Sequence, residues 1–403
     1  MMASHDGSQE SIAYIVIFAI VISMKIATNV HRDTFGGITI SNLALFDWLE
    51  DKDDTIVGVE YVTSRHIQGA IIFRRYLPSF FSHHIINGID IFPKYPWEKV
   101  SRLRKRWNIL VETTKNVLRK EAPDLVLVNG TYFAPWILAQ AAKELGIPIV
   151  LRYAGVLQRE VAHKNYFVRK RLLTYERWLA RTADAIIFPS SLCQQVVENE
   201  ILGQPVKKGV VIPNPVKSIQ TCSRKKPGRY TIAAVGRWTP IKNFEAFIAV
   251  HEALLQKRWP HRAVMVTSYK DDRFHIPETV EFKESMNQDD LRVFYRSIDL
   301  LIVPSHFETF CNVAAEALVN GASVFVSKNV GFAEVLQKTG LKRMVIDSFD
   351  NPEVVAEAIQ KIAKQRLTQK ERNAVVALID PQEVHQDILT VLSEVLKSSA
   401  NFR

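Results

Sequence analysis

Two carboxylates eight positions apart stand out in the run Ser305-His306-Phe307-Glu308-Thr309-Phe310-Cys311-Asn312-Val313-Ala314-Ala315-Glu316. The apolar residues ending at Pro304 read as a strand. A helix is expected from about Asn312, with Asn312 as its N-cap. Such a junction leaves the backbone amides of Thr309, Phe310, Cys311, Asn312 and Val313 at the positive end of a helix, where a diphosphate binds well. About one turn into the helix, Glu316 could accept two hydrogen bonds from a cis-diol such as a ribose, and Glu308 on the loop could do the same for a sugar. Alone the pair is weak evidence, because glutamate favours the first turns of helices and a loop glutamate is ordinarily solvated.

A second run strengthens the reading. Val235-Gly236-Arg237-Trp238-Thr239-Pro240-Ile241-Lys242-Asn243-Phe244 follows an expected strand. It places Arg237 and Lys242 in a strand-to-helix loop on the same sheet edge as Glu308. A departing nucleoside diphosphate needs its charge neutralised, either by a divalent metal or by fixed cations with amides. Without the first run, this would pass for an ordinary basic loop.

The elements that must position these residues form an α/β pattern. β-branched runs alternate with amphipathic stretches, the sequence form of a parallel sheet with helices on both faces. Strands are expected at 25–30, 55–62, 124–128, 147–152 and 184–188, then again at 230–235, 263–267, 300–303 and 323–326. Helices are expected at 40–49, 100–119, 135–145 and 167–180, then at 244–255, 289–297 and 312–320, with two more closing the chain. The last carries an apolar stripe of Val384, Ile388, Leu389, Leu392, Val395 and Leu396 that must pack on something. Ala183-Asp184-Ala185-Ile186-Ile187-Phe188-Pro189-Ser190 echoes Ile298-Asp299-Leu300-Leu301-Ile302-Val303-Pro304-Ser305, so two similarly wound units are expected. The expected boundaries are an extension over 1–23, a first domain over 24–215, a second over 216–380 and a C-terminal helix over 381–403.

The two runs together resemble the family-4 glycosyltransferases (glycosyl transferases group 1) of the GT-B fold, two Rossmann-like domains facing across a cleft. The matching features are the Gly236-Arg237 pair with Lys242, Glu308 with Glu316, Gly321-Ala322-Ser323-Val324, and Gly331 with Glu334. The match is looser over 124–215. The resemblance implies a retaining, metal-independent transferase with no cofactor beyond a nucleoside-diphosphate sugar as co-substrate. Arg237 and Lys242 would bind the donor phosphates, with Gly236 beside them. Glu308 would touch the transferred sugar, Thr309, Phe310, Asn312 and Val313 would offer amides, and Glu316 would hold the ribose. Gly36 and Gly37 would match the loop that lets the first domain approach the donor; an ordinary tight turn is the competing reading. The acceptor would be a glycan, a lipid-linked sugar or a small molecule. The sequence departs from the family at Leu151-Arg152-Tyr153-Ala154-Gly155, where many members carry a histidine. His66, His83 and His84 are candidates to replace it but read as surface residues. A nucleotide-sugar epimerase of the same fold and a catalytically degenerate binding subunit remain as alternatives.

Composition narrows the rest. The chain has 403 residues, 47% of them hydrophobic and 23% charged, which suits two globular domains. Three scattered cysteines argue against a disulfide framework or a zinc knuckle, so a cytoplasmic setting is expected. The net charge of +10 favours anionic surroundings, yet no nucleic-acid-binding module accompanies it. A basic, aromatic stretch holding Lys94, Tyr95, Trp97, Arg102, Arg104, Lys105, Arg106, Trp107, Lys115, Arg119 and Lys120 would suit peripheral attachment to the anionic inner face of the cell membrane; a solvated helix face is the competing reading. Residues 12–23 are continuously apolar but short of the ~20 residues that span a bilayer. Met24 is the expected natural start, against the alternative of an anchor running into the domain. Asp51-Lys52-Asp53 matches a metal-binding Asp-x-Asp signature but lies in a charged run, where it reads as a solvated turn.

Overall fold

The computed structural model describes residues 23–30, most of 42–49, 54–62, 81–87, 100–217 except 163, 228–267, 276–365 and 367–400. Gly36, Gly37, His66, Asp51, Asp53, Lys94, Tyr95, Trp97 and the apolar run at 12–22 lie outside these residues.

Two wholly parallel sheets with helices between their strands make up two Rossmann-like domains. The first sheet holds β1 (Lys25–Asn29), β2 (Thr55–Val62), β3 (Phe81–Asn87), β4 (Leu125–Asn129), β5 (Ile149–Arg152), β6 (Ala185–Phe188) and β7 (Gly209–Val211), in the order β3-β2-β1-β4-β5-β6-β7. The second holds β8 (Tyr230–Val235), β9 (His261–Val266), β10 (Val280–Lys283), β11 (Leu300–Val303), β12 (Ser323–Ser327) and β13 (Val345–Ile346), in the order β10-β9-β8-β11-β12-β13. The winding repeats, so each chain reversal sits beside the first strand of its sheet, where α/β folds open a crevice for ligands. Strands buried on both faces explain the continuous apolar runs: β4, β5, β6 and β11 are buried at every position.

The echo between 183–190 and 298–305 has a physical cause, although its two copies occupy different places. β6 lies between β5 and β7, whereas β11 lies between β8 and β12. What they share is the aspartate ahead of the strand. Asp184 accepts the amide of Ile149 at 2.8 Å, and Asp299 accepts that of Thr231 at 2.9 Å. Asp54 and Asp124 do the same for Met24 and Lys25, each at 2.7 Å. Each carboxylate satisfies the amide that opens the neighbouring strand, so the echo records a shared strand-start device.

Some expectations need correction. Among the described residues four α-helices, not two, follow β12: Phe332–Lys338, Pro352–Lys364, Gln369–Leu378 and Pro381–Ala400. Thr368 and Glu371 form a capping box, and Pro381 opens the last helix, so these signals set where the last two helices start. β3, β7, β10 and β13 were not expected; they lie at or near the sheet edges, where short or polar sequences give a faint strand pattern. The last helix returns to the first domain. Val384, Ile388, Val391, Leu392 and Val395 join a core with Met24, Ile26, Leu45, Phe46 and Leu49. Among the described residues no helix is long and apolar enough to cross a membrane.

Candidate functional site

The site is built at the ends of β8 and β11. After β8 the chain passes through Gly236 and Arg237 into a short turn at Pro240–Lys242. Asn243, in the left-handed region at φ 51°, then starts the helix Phe244–Gln256. Trp238 stacks on Phe244 at 5.2 Å, and His306 donates its amide to the Ile241 carbonyl at 2.9 Å. Those contacts hold the two loops side by side. Lys242 thereby meets Glu308 in an ion pair, and Ser305 Oγ donates to the same carboxylate oxygen at 2.9 Å. Burial works against the lysine's charge, but the Glu308 carboxylate overrides it and holds the ammonium above the usual lysine value. A small pocket beside the pair is lined by Val235, Phe244, Pro304, Ser305 and Cys311. Arg237 lies on the same loop, exposed to solvent.

The helix Asn312–Val319 begins one residue earlier than an N-cap at Asn312 implies. Cys311 is the N-cap, and Asn312 is the first helical residue. Cys311 takes φ 86°, a strained conformation for a residue with a side chain. Asn312 turns its side chain to the first domain instead, where Oδ1 accepts from Asn214 Nδ2 at 2.9 Å. Among the described residues, the backbone amides of Thr309, Phe310, Cys311, Asn312 and Val313 donate to no backbone carbonyl. They form a row of free donors at a helix N-terminus, beside the Lys242–Glu308 pair. Glu316 lies one turn further on, and Tyr295 OH donates to it at 3.4 Å. Burial pushes its carboxyl up to about 7, against the pull of Tyr295 and Arg292. Arg237, Lys242, Glu308, the amide row and Glu316 thus share one edge of the second sheet.

A model of the family described as "Glycosyl transferases group 1" matches residues 217–376, and one described as "Glycosyltransferase Family 4" matches 59–218. The chain is a family-4 glycosyltransferase of the GT-B fold. An uncharacterised glycosyltransferase of Bacillus subtilis (strain 168) is 24% identical over 301 residues, covering 69% of this chain and 79% of the relative. A GDP-mannose-dependent alpha-mannosyltransferase of Corynebacterium glutamicum is 21% identical over 264 residues, 61% of each chain. Among solved structures, sucrose-phosphate synthase from Thermosynechococcus elongatus superposes with a TM-score of 0.68 at 18% identity, covering 93% of this chain and all 100% of its own.

Several residues of this glycosyltransferase shape the site through contacts that the sequence did not signal. Phe307, beside Glu308, is buried in the core of the first domain. Thr309 bridges the two domains: its Oγ1 donates to the Ala154 carbonyl at 2.8 Å, and its carbonyl accepts from Ser190 Oγ at 2.6 Å. Glu334 accepts the amides of Ser191 at 2.9 Å and Leu192 at 2.6 Å, so it caps a helix of the other domain. Two of the three histidines read as surface residues, His83 and His84, are not. His83 is buried against Glu60 at 3.1 Å, and His84 is half-buried against Glu121 at 2.8 Å, both in the outermost strand of the first sheet. Trp107 also turns inward, edge-on to Trp136 and Tyr175, while Arg102, Arg104 and Lys105 on the same helix stay exposed.

Proposed function

We propose that this enzyme transfers a hexose from a nucleoside-diphosphate sugar, with retention of anomeric configuration and without a metal. The donor occupies the domain spanning 216–380 and the acceptor the domain spanning 24–215. The observation that carries the reading is the row of free amides from Thr309 to Val313 beside the Lys242–Glu308 ion pair. The amides, Lys242 and Arg237 neutralise the diphosphate as the glycosidic bond breaks, a fixed array that needs no reorganisation in the transition state. Glu308, already oriented by Ser305 and Lys242, accepts hydrogen bonds from the sugar, and Glu316 accepts them from the ribose. Gly36 and Gly37 are proposed to let the first domain approach the donor. The name of the C. glutamicum relative supports a GDP-linked hexose as the donor class. Exposed Arg102, Arg104 and Lys105 fit a lipid-linked acceptor at an anionic membrane surface.

The test has two stages. A thermal-shift screen over UDP-, GDP- and ADP-sugars should find one that stabilises the protein, since a ligand at 100 times its Kd adds ~2.7 kcal/mol. That donor should then release free nucleoside diphosphate at an unchanged rate in excess EDTA. A strict need for magnesium or manganese overturns the metal-free reading. Conversion of the sugar without release of nucleotide indicates an epimerase, and binding without turnover indicates a binding subunit.

A further inference from the structure

The helix Tyr166–Thr182 of the first domain opens on two adjacent aromatic residues. Phe167 is 78% exposed and Tyr166 67%, more than any other large hydrophobic side chain among the described residues. Their rings meet edge to face at 5.5 Å, and the Lys170 ammonium lies 5.8 Å from the Tyr166 ring. Rings of this size gain from leaving water, so a pair held out in it marks a contact surface.

The charge around the pair is of one sign. Exposed Lys164 and Lys170 flank it, and neither ion-pairs with a carboxylate among the described residues. The helix Val100–Glu121 lies alongside, since the Arg171 guanidinium is 5.5 Å from the Trp107 ring. Arg171 follows Phe167 by one helical turn, and Trp107 follows Arg104 by one. Exposed Arg104 thereby joins the face of the aromatic pair, with Arg102 and Lys105 in the same two turns. Neither helix has an acidic residue in its first turn. The helix dipole favours acids at that end, so cations there weaken the helix and fold stability does not account for them.

Both helices feed strands of a parallel sheet, so both begin at its carboxyl edge, which faces the donor domain. At the far end of one, Glu121 pairs with Lys25, which opens β1, at 2.9 Å. On the other, Glu176 accepts the amides of Leu157 at 2.8 Å and Gln158 at 3.1 Å, just past the end of β5. Tyr166 lies about 15 Å of helix ahead of Glu176, so the aromatic pair projects past that edge. The segment leading to it includes Ala154, whose carbonyl accepts from Thr309 across the cleft. The pair therefore stands at the cleft's rim.

We propose that this face docks on an anionic lipid membrane, with Tyr166 and Phe167 entering the headgroup layer and the cations of both helix starts meeting lipid phosphates. The inference rests on the reading of the first domain as the acceptor side. A docked membrane holds a lipid-linked acceptor at the rim, so its head group reaches the donor while its chain stays in the bilayer. Aromatic rings beside cations suit such an interface, each part adding to the attraction. Edge-to-face packing leaves fewer ring faces open for base stacking, which favours lipid over a nucleic-acid strand.

The test is sedimentation of the full-length protein with vesicles of phosphatidylcholine, alone or mixed with phosphatidylglycerol. The parent should bind only the mixed vesicles, and more weakly in high salt. Tyr166→Ser combined with Phe167→Ser should weaken that binding roughly tenfold or more. Lys164→Gln combined with Lys170→Gln should weaken it about 25-fold, about fivefold for each cation. Both double variants should keep the parental melting temperature and affinity for free GDP, because the four residues lie at the surface, outside the proposed donor site. Absence of parent binding to mixed vesicles overturns the proposal, as does binding that both variants leave unchanged. A dimer in solution that the serine variant dissolves, or binding to an RNA oligonucleotide in preference to vesicles, gives the face another occupant and overturns it too. A parent that docks on vesicles yet binds neither GDP nor UDP overturns the donor reading while the docking face stands.

Discussion

Side chains of the proposed donor edge can be tested one at a time through a titration or a partner. Glu316 is the sharpest case, because burial lifts its carboxyl to about 7 and only the Tyr295 hydroxyl, at 3.4 Å, donates to it among the described side chains. A ribose diol prefers the ionised form, which can accept from both hydroxyls. Affinity for GDP or UDP should therefore weaken as pH falls from about 8 to about 6, through the raised value. Glu316→Gln should flatten that profile and cost ~1.5–3 kcal/mol, the range for hydrogen bonds to a charged group. Calorimetry at both pH values decides it, and equal affinities in variant and parent would remove Glu316 from the site. The spacing of Glu308 and Glu316 was legible in the sequence because both belong to one strand–loop–helix junction. The pairing of Lys242 with Glu308 was not, since 66 residues separate them and only the adjacency of β8 and β11 brings them together.

Among the elements, the junction between domains depends on the start of the helix Phe332–Lys338. Gly331 has ordinary helical φ of −56°, so its lack of a side chain serves close approach rather than backbone freedom. A methyl there would overlap the Thr309 carbonyl and the Ser190 side chain, which hydrogen-bond each other across the junction. Gly331→Ala should push the loop carrying Glu308 and Thr309 out of register. The expected cost is ~1–3 kcal/mol of stability from overpacking, with weaker nucleotide binding because the amide row moves with Thr309. Gly228→Ala is the control, as nothing among the described residues lies within 4 Å of its added carbon. A Gly331→Ala protein with parental melting temperature and nucleotide affinity would show that the junction yields without consequence. The sequence identified Gly331 and Glu334 through a family pattern but not their task. Capping a helix of the other domain is a contact over 142 residues, and no local period records it. Central strands were found because burial on both faces writes an apolar run, whereas Asn312 was misplaced because its amide side chain serves Asn214 rather than its own helix.

The whole molecule is closed by its C-terminus: the helix Pro381–Ala400 leaves the second domain and completes the core of the first. Its apolar stripe was readable, but its destination was not, because periodicity gives a face without naming what covers it. His385 lies on that helix, 1% exposed, with both ring nitrogens lacking a hydrogen bond among the described residues and Trp48 at 5.6 Å. Burial lowers its pKa to about 4, with Arg152 adding to the effect and Asp380 opposing it. The native state thus holds the ring neutral, while the unfolded chain protonates it near 6.5. Its contribution is complete above about 6.5 and is lost as pH falls toward about 4, where only the unfolded chain has gained a proton. At pH 5 the loss is about 2 kcal/mol from this one group. Glu176 and Glu316, both raised to about 7, pull the other way, since their neutral forms favour the fold at lower pH. Comparing a variant with its parent cancels those terms. His385→Phe keeps an aromatic ring against Trp48 and cannot be protonated. Urea unfolding at pH 7.5 and at pH 5 should show the parent losing about 2 kcal/mol more than the variant across that interval. Equal losses in the two proteins would mean that His385 already titrates in the native state, and that the seat of the C-terminal helix admits water.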